Sequence, residues 1–122
     1  MATRSAETSV QTLEVRFEKN PESLVFSRLA DSHRKEGNVS KAIEICTRGL
    51  QIHPEYVTGR IILGKCYLEQ KNYDEAIEEF KKVCSLDRYN HFAIKMLGDI
   101  FAQQRQRQKA CDLYSILKKM VP

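Results

Sequence analysis

The run Gly59-Arg60-Ile61-Ile62-Leu63-Gly64-Lys65-Cys66 falls one residue short of the phosphate-binding pattern G-x-x-x-x-G-K-S/T. That loop works by aiming free backbone N–H groups at phosphates and by placing a hydroxyl on magnesium. Here Cys66 offers a thiol in place of the hydroxyl. No strand precedes the run, and its spacing predicts the middle of a helix, where the N–H groups are already bonded. Cys46, Cys66, Cys84 and Cys111 stand 20, 18 and 27 residues apart, with no C-x-x-C pair and no tight His/Cys cluster. They predict neither a metal site nor a disulfide framework but four reduced, mostly buried thiols in a cytoplasmic protein. His33, His53 and His91 are scattered in the same way, and no Ser/His/Asp or Cys/His set is placed to activate a nucleophile. Asp74-Glu75 and Glu78-Glu79 are expected on an exposed helical face, where solvated charge is the default. Asn38-Val39-Ser40 spells a glycosylation acceptor but reads as a turn and a helix cap. No catalysis, metal or cofactor is expected.

The elements that hold these residues come from a chain of 122 residues, 42% hydrophobic and 30% charged. That length supports one domain with a modest core, and the apolar fraction argues against wholesale disorder. No apolar stretch approaches the length of a membrane span, and the first residues lack the apolar segment of a secretory signal. The net charge of +4 is unevenly spread. Residues 91–122 carry six Lys/Arg against two Asp/Glu, while the rest of the chain is balanced. The basic run Arg105-Gln106-Arg107-Gln108-Lys109, with Lys118 and Lys119, could meet nucleic acid or an acidic partner. No aromatic residues are interleaved for base stacking, so a solvated end is the preferred reading.

The sequence repeats itself every 34 residues without a gap. Leu29-Ala30 returns as Leu63-Gly64 and Leu97-Gly98; Ala42 as Ala76 and Ala110; Cys46 as Phe80 and Tyr114; His33 as Tyr67 and Phe101. Three units follow, at 23–56, 57–90 and 91–122, the last two residues short. Each reads as helix, turn, helix. Leu63, Cys66 and Tyr67 share one helical face, and Ile77, Phe80 and Cys84 share another. Ser40 and Asp74 are candidate caps, and His53-Pro54 ends a second helix. Cys46, Cys84 and Cys111 fall on second-helix faces that meet neighbouring helices. His33 takes an aromatic core position and is expected to be a packed ring. Small residues at 30, 64 and 98 predict close helix approach, with Phe80 and Tyr114 filling the space between units. One helix pair cannot bury its apolar faces alone, but stacked pairs can. Ahead of them, 1–22 is expected to be a flexible tail and a short lead-in helix over 13–19 that covers the first unit through Leu13 and Phe17.

The pattern resembles the tetratricopeptide repeat family, W-x-x-L-G-x-x-Y followed by Ala, a large aromatic, Ala and Pro. Leu63, Gly64, Tyr67, Ala76 and Phe80 match it, as does the run Tyr73-Asp74-Glu75-Ala76-Ile77. Arg60 stands where the first aromatic belongs, Arg88 replaces Pro, and Arg105 and Arg107 occupy the turn of the third unit. The resemblance covers residues 23–122. It implies an all-α fold, a right-handed superhelical array of antiparallel helix pairs with the first helices lining a concave groove.

The family's groove positions correspond here to Leu24, Ser27, Arg28, Asp31 and Arg34; to Thr58, Ile61, Ile62, Lys65, Leu68 and Glu69; and to Phe92, Lys95, Met96, Asp99 and Gln103. For Ile62, packing beneath a neighbouring helix is an equal alternative. One subclass clamps the C-terminal carboxylate of chaperones with cationic and amide residues. At its places this chain has Ser27, Asp31, Ile62, Phe92 and Met96, none of them suited to that clamp. The expected function is a non-catalytic scaffold that holds a peptide or helix of another protein. Apolar anchors would supply affinity there, while Lys65, Lys95, Asp31 and Asp99 set register. A self-assembling element is the alternative, with Leu113, Tyr114, Leu117 and Met120 as an apolar end strip. A nucleic-acid-binding array is the second alternative.

Overall fold

The computed structural model describes residues 10–20 and 23–120, so the expected tail within 1–9, the pair 21–22 and the last two residues, 121–122, lie outside the described residues. Among the described residues seven helices follow one another: α1 (Val10–Lys19), α2 (Phe26–Lys35), α3 (Val39–Ile52), α4 (Val57–Glu69), α5 (Tyr73–Leu86), α6 (His91–Gln103) and α7 (Arg107–Met120). No strand occurs among the described residues. α2 to α7 form three antiparallel pairs in a right-handed superhelical array, each helix packed on its neighbours in sequence.

The helix boundaries keep the 34-residue period. First helices end at Lys35, Glu69 and Gln103, and second helices begin at Val39, Tyr73 and Arg107. The turn between them explains this regularity. Gly37, Lys71 and Arg105 all take positive φ, at 89°, 62° and 63°. The next residue's N–H then reaches back five positions, from Asn38 to His33 O, Asn72 to Tyr67 O and Gln106 to Phe101 O, at 2.8–2.9 Å. These bonds satisfy carbonyls left open at the helix end. They also fix where the second helix starts. Its caps are therefore Asn38 and Asn72, not the expected Ser40 and Asp74, which lie inside the first turn. Asp74 and Glu75 still favour that helix end through its dipole.

The first unit departs from the period. α2 begins at Phe26, three residues later than α4 and α6 do in their units, because Ser23–Val25 forms a turn with Ser23 Oγ accepting from Val25 N. α1 lies on α2 and buries Leu13 and Phe17 in the first core, the helix starting at Val10. Burial of two such side chains stabilises by roughly 2 kcal/mol each.

The small residues act through aromatic partners. A Cβ on Gly64 would meet the Phe80 ring at 2.7 Å, and one on Gly98 would meet Tyr114 at the same distance. Phe26 in turn is enclosed by Gly49 and Gly59, stacks on His53 and meets Tyr56 edge-on. Two core clusters result. One joins α1, α2 and α3 to the inner face of α4, and the other joins α5 to α6 and α7. The division runs between α4 and α5, where Arg60 Nη1 meets Glu79 Oε1 at 3.0 Å. Glu79 is only 7% exposed, which corrects its expected place on a solvated face. It is held by Arg60, whose Nε also donates to Pro54 O, and by Lys82 at 3.5 Å. A buried carboxylate needs such partners.

Candidate functional site: the two faces of α6

Successive residues turn by 100° around a helix, so Phe92, Lys95, Met96, Asp99 and Gln103 share one face of α6 while Ile94, Leu97 and Phe101 share the opposite one. The other residues expected in the groove lie on α4 and in or just ahead of α2. Its residues sort into three kinds. Arg28, Thr58, Glu69, Lys95 and Gln103 are exposed; Asp31, Arg34, Ile61, Lys65, Leu68, Met96 and Asp99 are half-buried. Ser27 and Ile62 are buried and drop out of the groove. Ser27 turns its hydroxyl back to Leu24 O at 3.1 Å, and Ile62 packs in the first core, the alternative given for it above. Leu24 is exposed but lies in the turn ahead of α2, beside the Ile52–Tyr56 corner, rather than on a groove-lining helix.

The charged groups expected to set register are already engaged with one another. Arg34 bonds Asp31 at 2.8 Å within α2 and Glu69 at 2.7 Å across the junction to α4. Partial burial alone would raise the Asp31 carboxyl, but Arg34 and Lys35 outweigh it and hold it below the ordinary value. Lys95 pairs with Asp99 at 2.9 Å, and Asp99 accepts a 2.6 Å bond from Tyr114 Oη. For Asp99 too, burial alone would raise the carboxyl, but the bonds from Tyr114 and Lys95 together with the Lys95 charge outweigh it and lower the carboxyl. Gln103 donates to Tyr73 Oη at 3.0 Å.

The apolar part of this face centres on Phe92. Its ring is 37% exposed, rests edge-on against Phe80 at 6.1 Å, and carries Lys65 Nζ 4.9 Å above its centroid. That contact bridges the second and third units and leaves a rigid aromatic surface with a cation beside it. Ile61, Leu68 and Met96, on the same first helices, are half-buried against the second core.

The opposite face of α6 was not foreseen from the sequence as a surface at all. Between α5 and α7 it floors an open cleft of about 630 Å³. Leu113, placed above in the apolar end strip, lines this cleft instead, and Tyr114 covers Gly98. Leu117 and Met120 stay half-buried, and the exposed Ile116 was missed. The signal lay in the repeat columns: Ile94, Leu113 and Ile116 stand 34 residues after Arg60, Glu79 and Lys82.

The chemistry elsewhere is structural. The Gly59–Cys66 run lies within α4. Cys46 and Cys66 are buried, and burial pushes the Cys66 thiol up to about 11 and the Cys46 thiol higher still. Cys84 is half-buried. Cys111 is exposed, a correction to its expected helix contact, because no further helix covers that face of α7 among the described residues. His33 is buried as expected of a packed ring, yet Nε2 lies 3.0 Å from Glu14 Oε1, tying α1 to α2. Among the described residues no cluster of His, Cys, Asp and Glu could hold a metal ion, and no helix is long and apolar enough to cross a membrane.

Comparison with known proteins agrees with this architecture. Residues 3–83 match the family model described as Anaphase-promoting complex, cyclosome, subunit 3. The chain is 32% identical over 68 residues to the DnaJ homolog subfamily C member 7 homolog of Dictyostelium discoideum, which covers 56% of this chain and 13% of that protein. It thus spans about an eighth of the length of that curated relative. Among solved structures, MamA superposes with a TM-score of 0.84 at 17% identity, over 93% of this chain and 67% of that one. The first TPR of Spaghetti (RPAP3), bound to the HSP90 peptide SRMEEVD, gives 0.75 at 14% identity, over 79% and 77%. At such identities the structural likeness concerns the fold.

Proposed function

This chain belongs to the Anaphase-promoting complex, cyclosome, subunit 3 family of tetratricopeptide repeat proteins, and on that premise we propose that it is a non-catalytic interaction module, holding a peptide or helix of another protein on its first-helix face. The observation that carries the reading is Phe92, a large aromatic ring braced by Phe80 yet open to solvent, with Lys65 above it. Aromatic anchors in such settings commonly dominate binding energy. A relative of this fold holds a peptide, which supports the class of partner but not its sequence. Since the residues at the carboxylate-clamp places are unsuited to it, the partner is bound through an internal apolar segment. Among the described residues expected in the groove, Arg28 and Thr58 are exposed polar groups of the first two units with no side-chain bond to give up. A reducing, cytoplasmic setting belongs to the same reading.

The test is affinity capture from the native lysate followed by titration of the captured partner. Phe92→Ala and Ile61→Ala should each weaken binding about tenfold or more, with helical content unchanged. Glu78→Ala, on the exposed side of α5, should do nothing; an equal loss there would sink the proposal. Self-association through α7 is a second reading, favoured by the exposure of Tyr114 and Ile116. It requires sedimentation of the chain alone to change with concentration, and a steep fall of binding with salt would favour nucleic acid instead.

A further inference from the structure

The cleft on the other face of α6 has a composition of its own. Ile94, Leu97 and Phe101 form its floor, and Leu113 and Ile116 of α7 form one wall. Its rim carries Lys81, Arg88 and Lys109 against a single carboxylate, Asp112. None of those three cations takes part in an ion pair among the described residues. Lys109 Nζ lies 5.3 Å over the Phe101 ring and Arg88 5.7 Å over Tyr89, so two of them are held beside apolar surface with their charge unmet. Asp112 is occupied by Gln108, which donates to it at 2.9 Å.

The repeat supplies an internal control. At the preceding junction the positions of Ile94, Leu113 and Ile116 hold Arg60, Glu79 and Lys82, which satisfy one another. The open apolar cleft is therefore not a by-product of stacking helix pairs. It arises where three charged side chains have given way to three apolar ones. Solvent reaches the exposed Ile116 and the half-buried Leu113 above a floor that is itself buried, and apolar groups left open among polar ones mark an interaction site. The excess of positive charge around it fixes the kind of occupant.

We propose that this cleft docks a short acidic amphipathic segment of a partner protein, whose apolar side chains fill the floor between α5 and α7 while its carboxylates meet Lys81, Arg88 and Lys109. Helix-in-groove recognition of this kind needs two or three anchors spaced by a helical turn. The cleft, at about 630 Å³, has room for them. Because it uses the face of α6 opposite Phe92, it stands or falls apart from the groove reading above.

The experiment selects a displayed library of random peptides of about 14 residues, roughly four helical turns, on the full chain. Recovered peptides should carry net negative charge with apolar residues at three- and four-residue spacing. The best of them, synthesised with a fluorescent label, should bind the Ile116→Glu variant at least tenfold more weakly. Ile116 is 42% exposed, so that change leaves the fold in place. The double variant Ile94→Arg/Leu113→Glu, which rebuilds the Arg60–Glu79 arrangement here, should bind no peptide while keeping its circular dichroism. Gln51→Ala on α3 should bind as the parent does. The proposal is overturned if the recovered peptides are basic or neutral, if none depends on Ile116, or if Phe92→Ala abolishes binding while Ile116→Glu does not. It is equally overturned if dodecanoate, an anionic amphiphile without a peptide backbone, displaces the peptide more tightly than the peptide binds.

Discussion

The second and third units share one backbone plan, yet at the junction each makes with the unit before it the second carries interlocked charges and the third an open apolar cleft. Three columns account for the difference: Arg60 against Ile94, Glu79 against Leu113, Lys82 against Ile116. At the first junction the guanidinium and carboxylate are almost wholly covered. Such a pair contributes little net stability, because the desolvation of both ions offsets most of their attraction. Its effect is to occupy space and to leave no unmet charge or apolar floor. The second junction has the packing of an ordinary core underneath and a surface above it that solvent touches. The 34-residue frame fixes where helices lie, while a few side chains decide which junction can receive a partner.

The largest effect should come from breaking the first junction's pair. Glu79→Ala leaves Arg60 covered and without its carboxylate, at a cost of about 3 kcal/mol. Arg60→Ile together with Glu79→Leu copies the second junction and should unfold within about 1 kcal/mol of the parent, or later. Urea denaturation of the three proteins measures both. A loss below about 0.5 kcal/mol for the single change would mean that water screens the pair, and the two junctions would then differ in shape alone.

A second comparison uses the glycines. Gly64 faces Phe80, which is fully buried and pinned by Phe92 of the next unit; Gly98 faces Tyr114, which is 38% exposed. An added methyl collides equally in both places, but only Tyr114 has room to swing outward. Gly64→Ala should therefore cost about 2 kcal/mol after its gain in helix propensity, and Gly98→Ala close to nothing. Equal costs would show that the outer unit is as tightly determined as the middle one.

Much of this was legible in the sequence, and the failures share a cause. The period, the helix pairs and the helical setting of the Gly59–Cys66 run all follow from residue type and spacing, whereas Phe80 and Tyr114, expected between units, pack on Gly64 and Gly98 of their own units. Glu79 was misread because a charge on an amphipathic helix is taken to face water. Only its column, Ile45 above and Leu113 below, shows that the position is inward. Ser40 and Asp74 were chosen as caps on intrinsic preference, whereas the left-handed residue at 37 and 71 sets the helix start and hands the cap to Asn38 and Asn72. The ion-pair partners of the charges expected in the groove are not readable from the sequence. Arg34 reaches Glu69 across a unit boundary, and no spacing rule within a helix anticipates a bond over 35 residues. The apolar cleft was invisible for the opposite reason: Ile94 and Leu97 look like any core residues until the equivalent junction is set beside them.

The turns provide a term that should ignore the difference between junctions. Lys71 and Arg105 hold positive φ, which costs a residue bearing a Cβ about 1 kcal/mol, while Gly37 holds it freely. Lys71→Gly and Arg105→Gly should each stabilise by about 0.5–1 kcal/mol and by the same amount, and Gly37→Ala should cost about 1 kcal/mol. Thermal or urea midpoints would report it. A gain at 71 without one at 105 would show that the outer turn relaxes its strain by fraying.

The smallest effect separates two carboxylates. Asp31 sits under Arg34, whose second bond crosses the first junction; Asp99 is tied only within the last unit, to Lys95 and Tyr114. Both carboxyls are held below the ordinary value. A lowered folded-state pKa means that the unfolded chain takes up the proton first as pH falls. The stability each contributes is complete above about pH 4 and is lost as the pH drops through the folded value. Because both groups are partly solvated, each contribution should be below about 1 kcal/mol. Asp31→Asn should therefore lower stability slightly at pH 7 and not at all near pH 2, where the parent has already lost the same term. Asp99→Asn should show the same sign with a smaller amplitude, since its carboxylate is more open to water and no bond from its partners spans a junction between units. Denaturation midpoints of the parent and both variants at pH 7 and at the acid end measure the two amplitudes. An Asp99 amplitude equal to that of Asp31 would mean that the Arg34–Glu69 bridge adds nothing to the first junction, leaving the Arg60–Glu79 pair as its sole electrostatic distinction.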